Sequence, residues 1–260
     1  MKENNKFYIG WKDEIPTRHA VFLKKLLIAI FILIPMLGFI VVYFQKPFNN
    51  FNFEFGNTTT ITGVYYDDPI PMLIADEGSL EGGLSRDIVL VGYGKFGAKG
   101  IIENIEATEG TLRGKKISLN GTLIYGDGKT LMELTNEENS FVEIVSNNAQ
   151  RSLTKSAFKE VSLSGEIIDP KCYFGVMKPG EGKIHKSCAI RCISGGIPPV
   201  LKTENAQGES QYYILRDQDG NPINKEVLPF VAEQISVSGK TYTVFNWNVL
   251  YVDIDDLRRM

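Results

Sequence analysis

From Leu26 to Phe44 the chain reads LLIAIFILIPMLGFIVVYF, nineteen residues without a charge. At 1.5 Å per residue a helix of that length spans about 28 Å, close to the roughly 30 Å of a bilayer's hydrocarbon core. No polar stripe interrupts the run, as one would in a helix lying on a soluble core. Pro35 and Gly38 fall inside it, and membrane helices tolerate both. A cleaved signal peptide would have a shorter apolar core and a small-residue cleavage site after it. The sequence Tyr43-Phe44-Gln45-Lys46-Pro47 offers no such site. The expectation is an uncleaved, single-pass anchor at residues 26–44.

Arg18, Lys24 and Lys25 crowd the N-terminal flank, whereas Lys46 stands nearly alone on the other. The positive-inside rule then places residues 1–25 in the cytoplasm and the rest of the chain outside it. This topology corresponds to an inner (cell) membrane protein with a periplasmic or otherwise extracytoplasmic domain. Residues 45–58, rich in Asn and Phe, read as a linker near the membrane surface.

Beyond the linker the pattern is mainly β. Thr60–Tyr66, Ile88–Val91 and Ile117–Ile124 are short β-branched runs, and Gly126-Asp127-Gly128 marks a hairpin. No helix is expected between residues 59 and 150. A faint repeat joins the two halves: Ile61-Thr62-Gly63…Asp68-Pro69 is echoed by Leu163-Ser164-Gly165…Asp169-Pro170. Ile117–Gly121 is echoed by Ile235–Gly239. Strand–glycine–strand openings and closings suit a five-stranded Greek-key barrel of the OB type. Two tandem barrels are expected, at 59–150 and 151–260, the second carrying a short helical Cys/His insertion. The seam is placed near 147–158.

All three cysteines lie between residues 172 and 192, with one of the two histidines among them. A helix over Ile184–Ile193 would end at Gly195-Gly196 and Pro198-Pro199. On it, His185, Cys188 and Cys192 share an arc of about 60°. Cys172, from the end of the preceding strand, supplies a fourth ligand. Three thiolates and an imidazole suit Zn²⁺ or copper, and less well an iron–sulfur centre. Lys171, Lys178, Lys183, Lys186 and Arg191 surround the motif in sequence, and their charge favours thiolates. Two alternatives stay open here: a disulfide from Cys172 to Cys188 or Cys192, and thiol redox chemistry.

The stretch Asp169–Pro199, of pattern D-P-K-C-Y…H-x-x-C-A-x-x-C-I-x-x-G-I-P-P, resembles a segment of membrane-anchored bacterial proteins whose activity is unassigned. Phe7–Trp11 and Gly121–Ile124 share the likeness. The resemblance implies that the Cys/His segment acts as a unit and brings no activity with it. In layout, an anchor followed by an OB-type barrel is also similar to the periplasmic haem chaperones of cytochrome c maturation. Their C-terminal His-x-x-x-Tyr is missing from Tyr251–Met260.

Other motifs carry less. Gly92-Tyr93-Gly94-Lys95-Phe96-Gly97 matches a dinucleotide fingerprint but lacks the helix that should open at its glycines, so it reads as a loop. The pairs Asp67-Asp68 and Asp253/Asp255 read as solvated turns, and His19 as an interfacial side chain. No hydrolase or zinc-protease motif is present. The net charge of −3 argues against nucleic acid as a partner. The leading expectation is a non-enzymatic metal or redox-centre module serving another membrane or extracytoplasmic protein, with no nucleotide. A thiol-redox or haem/metal assembly factor and a scaffold with a disulfide-braced loop are the rivals.

Overall fold

The computed structural model describes residues 15–45, 51–80, 82–135, 139–149 and 153–260. Residues 1–14 of the expected cytoplasmic segment, 46–50 of the linker and 150–152 of the seam lie outside the described residues. The chain divides into two units, Met1–Phe48 and Asn49–Met260.

The first unit contains helix α1 (Thr17–Phe44), which passes through Pro35 without ending and buries none of its residues. A long helix, apolar all round and covered by nothing, is long and apolar enough to cross a membrane.

The second unit is two closed five-stranded barrels. In the first, β2 (Thr59–Tyr66), β3 (Met72–Ala75) and β4 (Asp87–Val91) form an antiparallel meander. Helix α2 (Lys99–Glu109) follows, then the hairpin β5 (Lys116–Gly126) and β6 (Lys129–Leu134). The fifth strand pairs in parallel with the third and antiparallel with the fourth, and the fourth returns to the first, closing the barrel. Asp127 and Gly128, both at positive φ, make the hairpin turn that the Gly-Asp-Gly pattern predicts.

The second barrel repeats this order with β8 (Lys159–Ile168), β9 (Val200–Glu204), β10 (Ser210–Arg216), β11 (Gln234–Val244) and β12 (Trp247–Val252). It again has a parallel third–fifth pair. Both barrels thus have OB topology. Short strands decorate them: β1 (Asn52–Phe53) and β7 (Phe141–Ser146) on β5, and β13 (Arg258–Arg259) on β11. The end of the expected linker is therefore stitched into the first barrel's sheet.

Helix α2 corrects the expectation of no helix before residue 150. Its three isoleucines and Gly100 disfavour a helix intrinsically. Yet Ile101, Ile102 and Ile105 fall on one face and enter the first barrel's core beside Leu90 and Leu112. Burial of that face outweighs the local propensity.

Alternation decides where the barrels meet. Leu73, Ile88 and Leu90 point into the first barrel, so Met72, Val89 and Val91 point out. On β10, Tyr213 and Leu215 point into the second barrel, while Tyr212 and Ile214 point out. The two outward sets share one buried cluster with Ile124, Trp247 and Phe174. In OB barrels the face of the second and third strands is the usual ligand surface. Here those faces are buried in a common core.

Candidate metal centre

In the first barrel, β2 and β3 are joined by the short loop 67–71. In the second, β8 and β9 are joined by the strap 169–199, which bears every cysteine. The strap opens with Asp169-Pro170. The buried Asp169 side chain accepts from the Lys171 amide at 2.9 Å and the Cys172 amide at 3.4 Å, and Pro170 suits the first helical position. A single wide turn, Cys172–Val176, follows, closed by Met177 N donating to Cys172 O. Its Phe174 is fully buried, edge-on to Tyr212 and Trp247.

Helix α3 (Lys186–Ser194) then runs to Gly195 as anticipated, although it starts two residues later than expected, with His185 as its N-cap. Ala189 and Ile193 are buried in the second barrel's core. This fixes the helix's rotation and turns the adjacent face, bearing His185, Cys188 and Cys192, towards Cys172.

The four expected ligands do gather, as two overlapping trios. Ligand atoms of Cys172, His185 and Cys188 lie within 4.8 Å of one another, as do those of Asp169, Cys172 and Cys192. Cys172 belongs to both. Its Sγ is 4.0 Å from that of Cys188. Two thiolates on one tetrahedral zinc stand about 3.8 Å apart, so this spacing fits a shared ion with little adjustment. A disulfide needs about 2.05 Å, and all three cysteines are free.

His185 is 4% exposed, and its Nε2 has no hydrogen-bond partner among the described residues. Burial, assisted by Lys95, pushes its pKa below the usual value, against a pull from Asp169. The ring is therefore neutral at pH 7 and its lone pair is available to a metal. The Cys172 thiol is pushed well above its ordinary range by the hydrogen bond it shares with Cys192, by burial and by Asp169. Without a metal it holds its proton.

Two of the lysines flanking the motif in sequence, Lys171 and Lys186, are engaged elsewhere. Lys171 is buried and turned to Gly92 O, Gly94 O and Glu133, and Lys186 pairs with Glu233. The cation at the thiols is Lys95 of the first barrel. Its Nζ lies 3.0 Å from Cys188 Sγ and 4.0 Å from Cys192 Sγ, and the Cys188 contact is the main reason its pKa is raised.

Two backbones in contact bring Lys95 there. Gly97 N donates to Gly195 O at 3.0 Å. A Cβ on Gly97 would stand 2.2 Å from Gly196 O, and one on Gly195 would stand 2.0 Å from Lys95 O. The glycines that mimic a dinucleotide fingerprint are thus a seat for the end of α3. Sequence reasoning missed both Lys95 and Asp169. For Lys95 no local signal exists, while Asp169 was visible only as the repeat's Asp-Pro.

Chemically, the cluster offers three sulfurs, one imidazole nitrogen and one carboxylate in two overlapping groups that share Cys172. A dication bound by three thiolates carries a net charge of −1, and the Lys95 ammonium brings the total to zero. Cys172 with His185 and Cys188, and Cys172 with Asp169 and Cys192, are each a group that could hold a metal ion. No family model matches the chain, and no curated protein or solved structure matches it.

Proposed function

We propose that this protein is a membrane-anchored, extracytoplasmic metal-binding module, in which Cys172, His185, Cys188 and Cys192 hold one thiophilic ion, Zn²⁺ or copper. The observation that carries the reading is the convergence of every cysteine with a buried, unpartnered histidine nitrogen and an opposing lysine. A buried polar atom without a partner is costly, and a bound cation would satisfy it. The fully protein-supplied ligand set favours a structural or electron-handling centre over hydrolytic zinc, which keeps an open position.

The anchor and its flanking charges support an N-terminus in the cytoplasm and barrels outside it. The burial of the usual OB ligand faces against each other supports partners other than nucleic acid or nucleotide, such as a membrane-bound protein complex. Elemental analysis of the full chain, purified in detergent without chelator and paired with a thiol count, tests the reading. One metal per chain and its loss in a folded Cys192→Ser variant are expected. Full metal occupancy in that variant, or a metal-free chain that cannot be loaded, overturns it.

One observation favours thiol redox as the second reading. Half-buried Cys188 lies beside Lys95 and 4.0 Å from Cys172. A Cys188 thiolate could attack a partner's disulfide, and Cys172 would then displace it. The products are an internal Cys172–Cys188 disulfide and two partner thiols, so both electrons go to the partner. A metal-free chain with one titratable thiol after oxidation would leave this reading and the disulfide-braced scaffold, and reduction of a partner disulfide by the reduced chain would select this one.

A further inference from the structure

Away from the cysteines, Arg216 ends β10 on its outward face, two residues beyond Ile214 and four beyond Tyr212. It is only 8% exposed, and its Nε has no hydrogen-bond partner among the described residues. No carboxylate lies within ion-pair distance of it among those residues either. A buried guanidinium left in that condition is expensive, because the charge has lost its water and gained only the longer-range attraction of groups such as Asp68.

Arg216 lines a cleft of about 450 Å³ between the barrels, in the size range of small-molecule sites. One wall is apolar, formed by Pro69, Ile70, Leu90 and Ile102. The other carries Arg216, Asn221 and Asn224. Ala98 and Lys99, at the N-terminus of α2, also face the cleft, and no side chain caps that helix. Its first amides and its positive dipole end are available to an anion.

The cleft also has an acidic rim, which limits the ligand. Asp67 is paired with Arg113 at 3.3 Å, Asp68 with Lys155 at 2.7 Å and Glu103 with Lys99 at 3.6 Å. Glu106 accepts from the Leu112 amide at 2.8 Å. Three of the four carboxylates have an ion partner, which leaves Glu106 and Arg216 as the unpaired opposite charges among the described residues of the cleft. A monoanion on Arg216 therefore adds one negative charge to this rim, and a dianion adds two.

We propose that this inter-barrel cleft is a binding site for a small organic monocarboxylate, its carboxylate on Arg216 and the α2 N-terminus and its apolar body on the proline–isoleucine wall. Arg216 provides the fork for a two-pronged carboxylate contact. The strap borders the cleft through Gly196 and Pro198, but the assignment does not rest on the metal reading of the cysteine cluster.

Calorimetric titration of the full chain in detergent micelles with butyrate, butyramide and inorganic phosphate tests the assignment. Saturable butyrate binding is expected, with butyramide and phosphate each weaker by about tenfold or more. In Arg216→Met, butyrate should weaken about ten- to a hundredfold. Metal content should be unchanged, and the melting temperature equal or higher, since an unpaired buried charge is gone. Absence of butyrate binding, equal binding of butyramide, tighter binding of phosphate, or undiminished butyrate binding in Arg216→Met each overturns the proposal. Should Arg216→Met fail to fold, Arg216→Lys decides. It keeps the charge without the fork, so about tenfold weakening is expected and unchanged affinity overturns the assignment.

Discussion

The two barrels solve the same topological problem with differently placed helices. In the first, the connection between its third and fourth strands supplies α2, whose Ile101, Ile102 and Ile105 close the barrel core. The corresponding connection of the second, residues 217–233, supplies only the short turn Leu228–Phe230. There α3 of the strap buries Ala189 and Ile193 in the core beside Val227 and Val231. A helix borrowed from the first loop must arrive on a long excursion. Such an excursion exposes a second helical face to its neighbour, and in this chain that face carries His185, Cys188 and Cys192. The candidate metal centre thus shares its helix with the element that closes the second barrel's core.

The sharpest break between the barrels should follow from Cys172. Because it belongs to both trios, Cys172→Ser should weaken metal binding by more than the roughly 10–100-fold seen for residues outside the ligand shell. It should do so more severely than Cys188→Ser or Cys192→Ser. Competition with a chromogenic chelator measures this. Equal losses in the three variants would remove Cys172 from the centre of the cluster.

Next in size is the capping role itself. If α3 does for the second barrel what α2 does for the first, Ile193→Ala and Ile102→Ala should each cost about 2–5 kcal/mol of stability. Urea unfolding at unchanged m-value reports this. A cost below about 1 kcal/mol for Ile193→Ala alone would mean that the strap merely rests on the barrel.

These elements were unequally legible in the sequence. The barrels could be read because Gly63 and Gly165, Asp68-Pro69 and Asp169-Pro170 repeat at matching places, and because the Gly126–Gly128 turn is local. The strap could be read because the cysteines cluster and Gly195-Gly196 stops a helix. Helix α2 was hidden because its evidence lies in tertiary burial of Ile101, Ile102 and Ile105 rather than in propensity. Lys95 was hidden for a related reason. It reaches the thiols from 93 residues away in sequence, through a glycine-on-glycine contact that neither segment specifies alone.

Lys95→Met isolates that long-range contribution. It should leave both barrels folded and lower metal affinity by about 10–100-fold, as expected for a group tuning the ligands from outside. The mechanism is electrostatic: without the ammonium, three thiolates and a dication remain at −1 in a partly buried site. Chelator competition at two ionic strengths would show the loss shrinking in high salt, since the Lys95–Cys188 contact is exposed. An affinity unchanged from wild type would demote the 3.0 Å Lys95–Cys188 contact to coincidence.

The smallest effect compares the repeated Asp-Pro pairs. Asp68 is half-exposed and pairs with Lys155 at 2.7 Å; a surface pair contributes at most about 1 kcal/mol, and often nothing measurable. Asp169 is fully buried, and its side chain holds the first turn of the strap through the amides of Lys171 and Cys172. Asn can accept the same amides through its side-chain oxygen, so Asp169→Asn should keep the turn, whereas Asp169→Ala should lose about 1–2 kcal/mol. Asp68→Ala should lose less than half of that. Asp169→Asn also separates capping from ligation, because it keeps the cap oxygen and removes the carboxylate charge beside Cys172. If its metal affinity equals wild type, the ion is held by the three cysteines and His185. A clear loss of affinity with stability intact would make Asp169 a fifth ligand, and the repeat's Asp-Pro would then serve as a turn in one barrel and as part of the metal centre in the other.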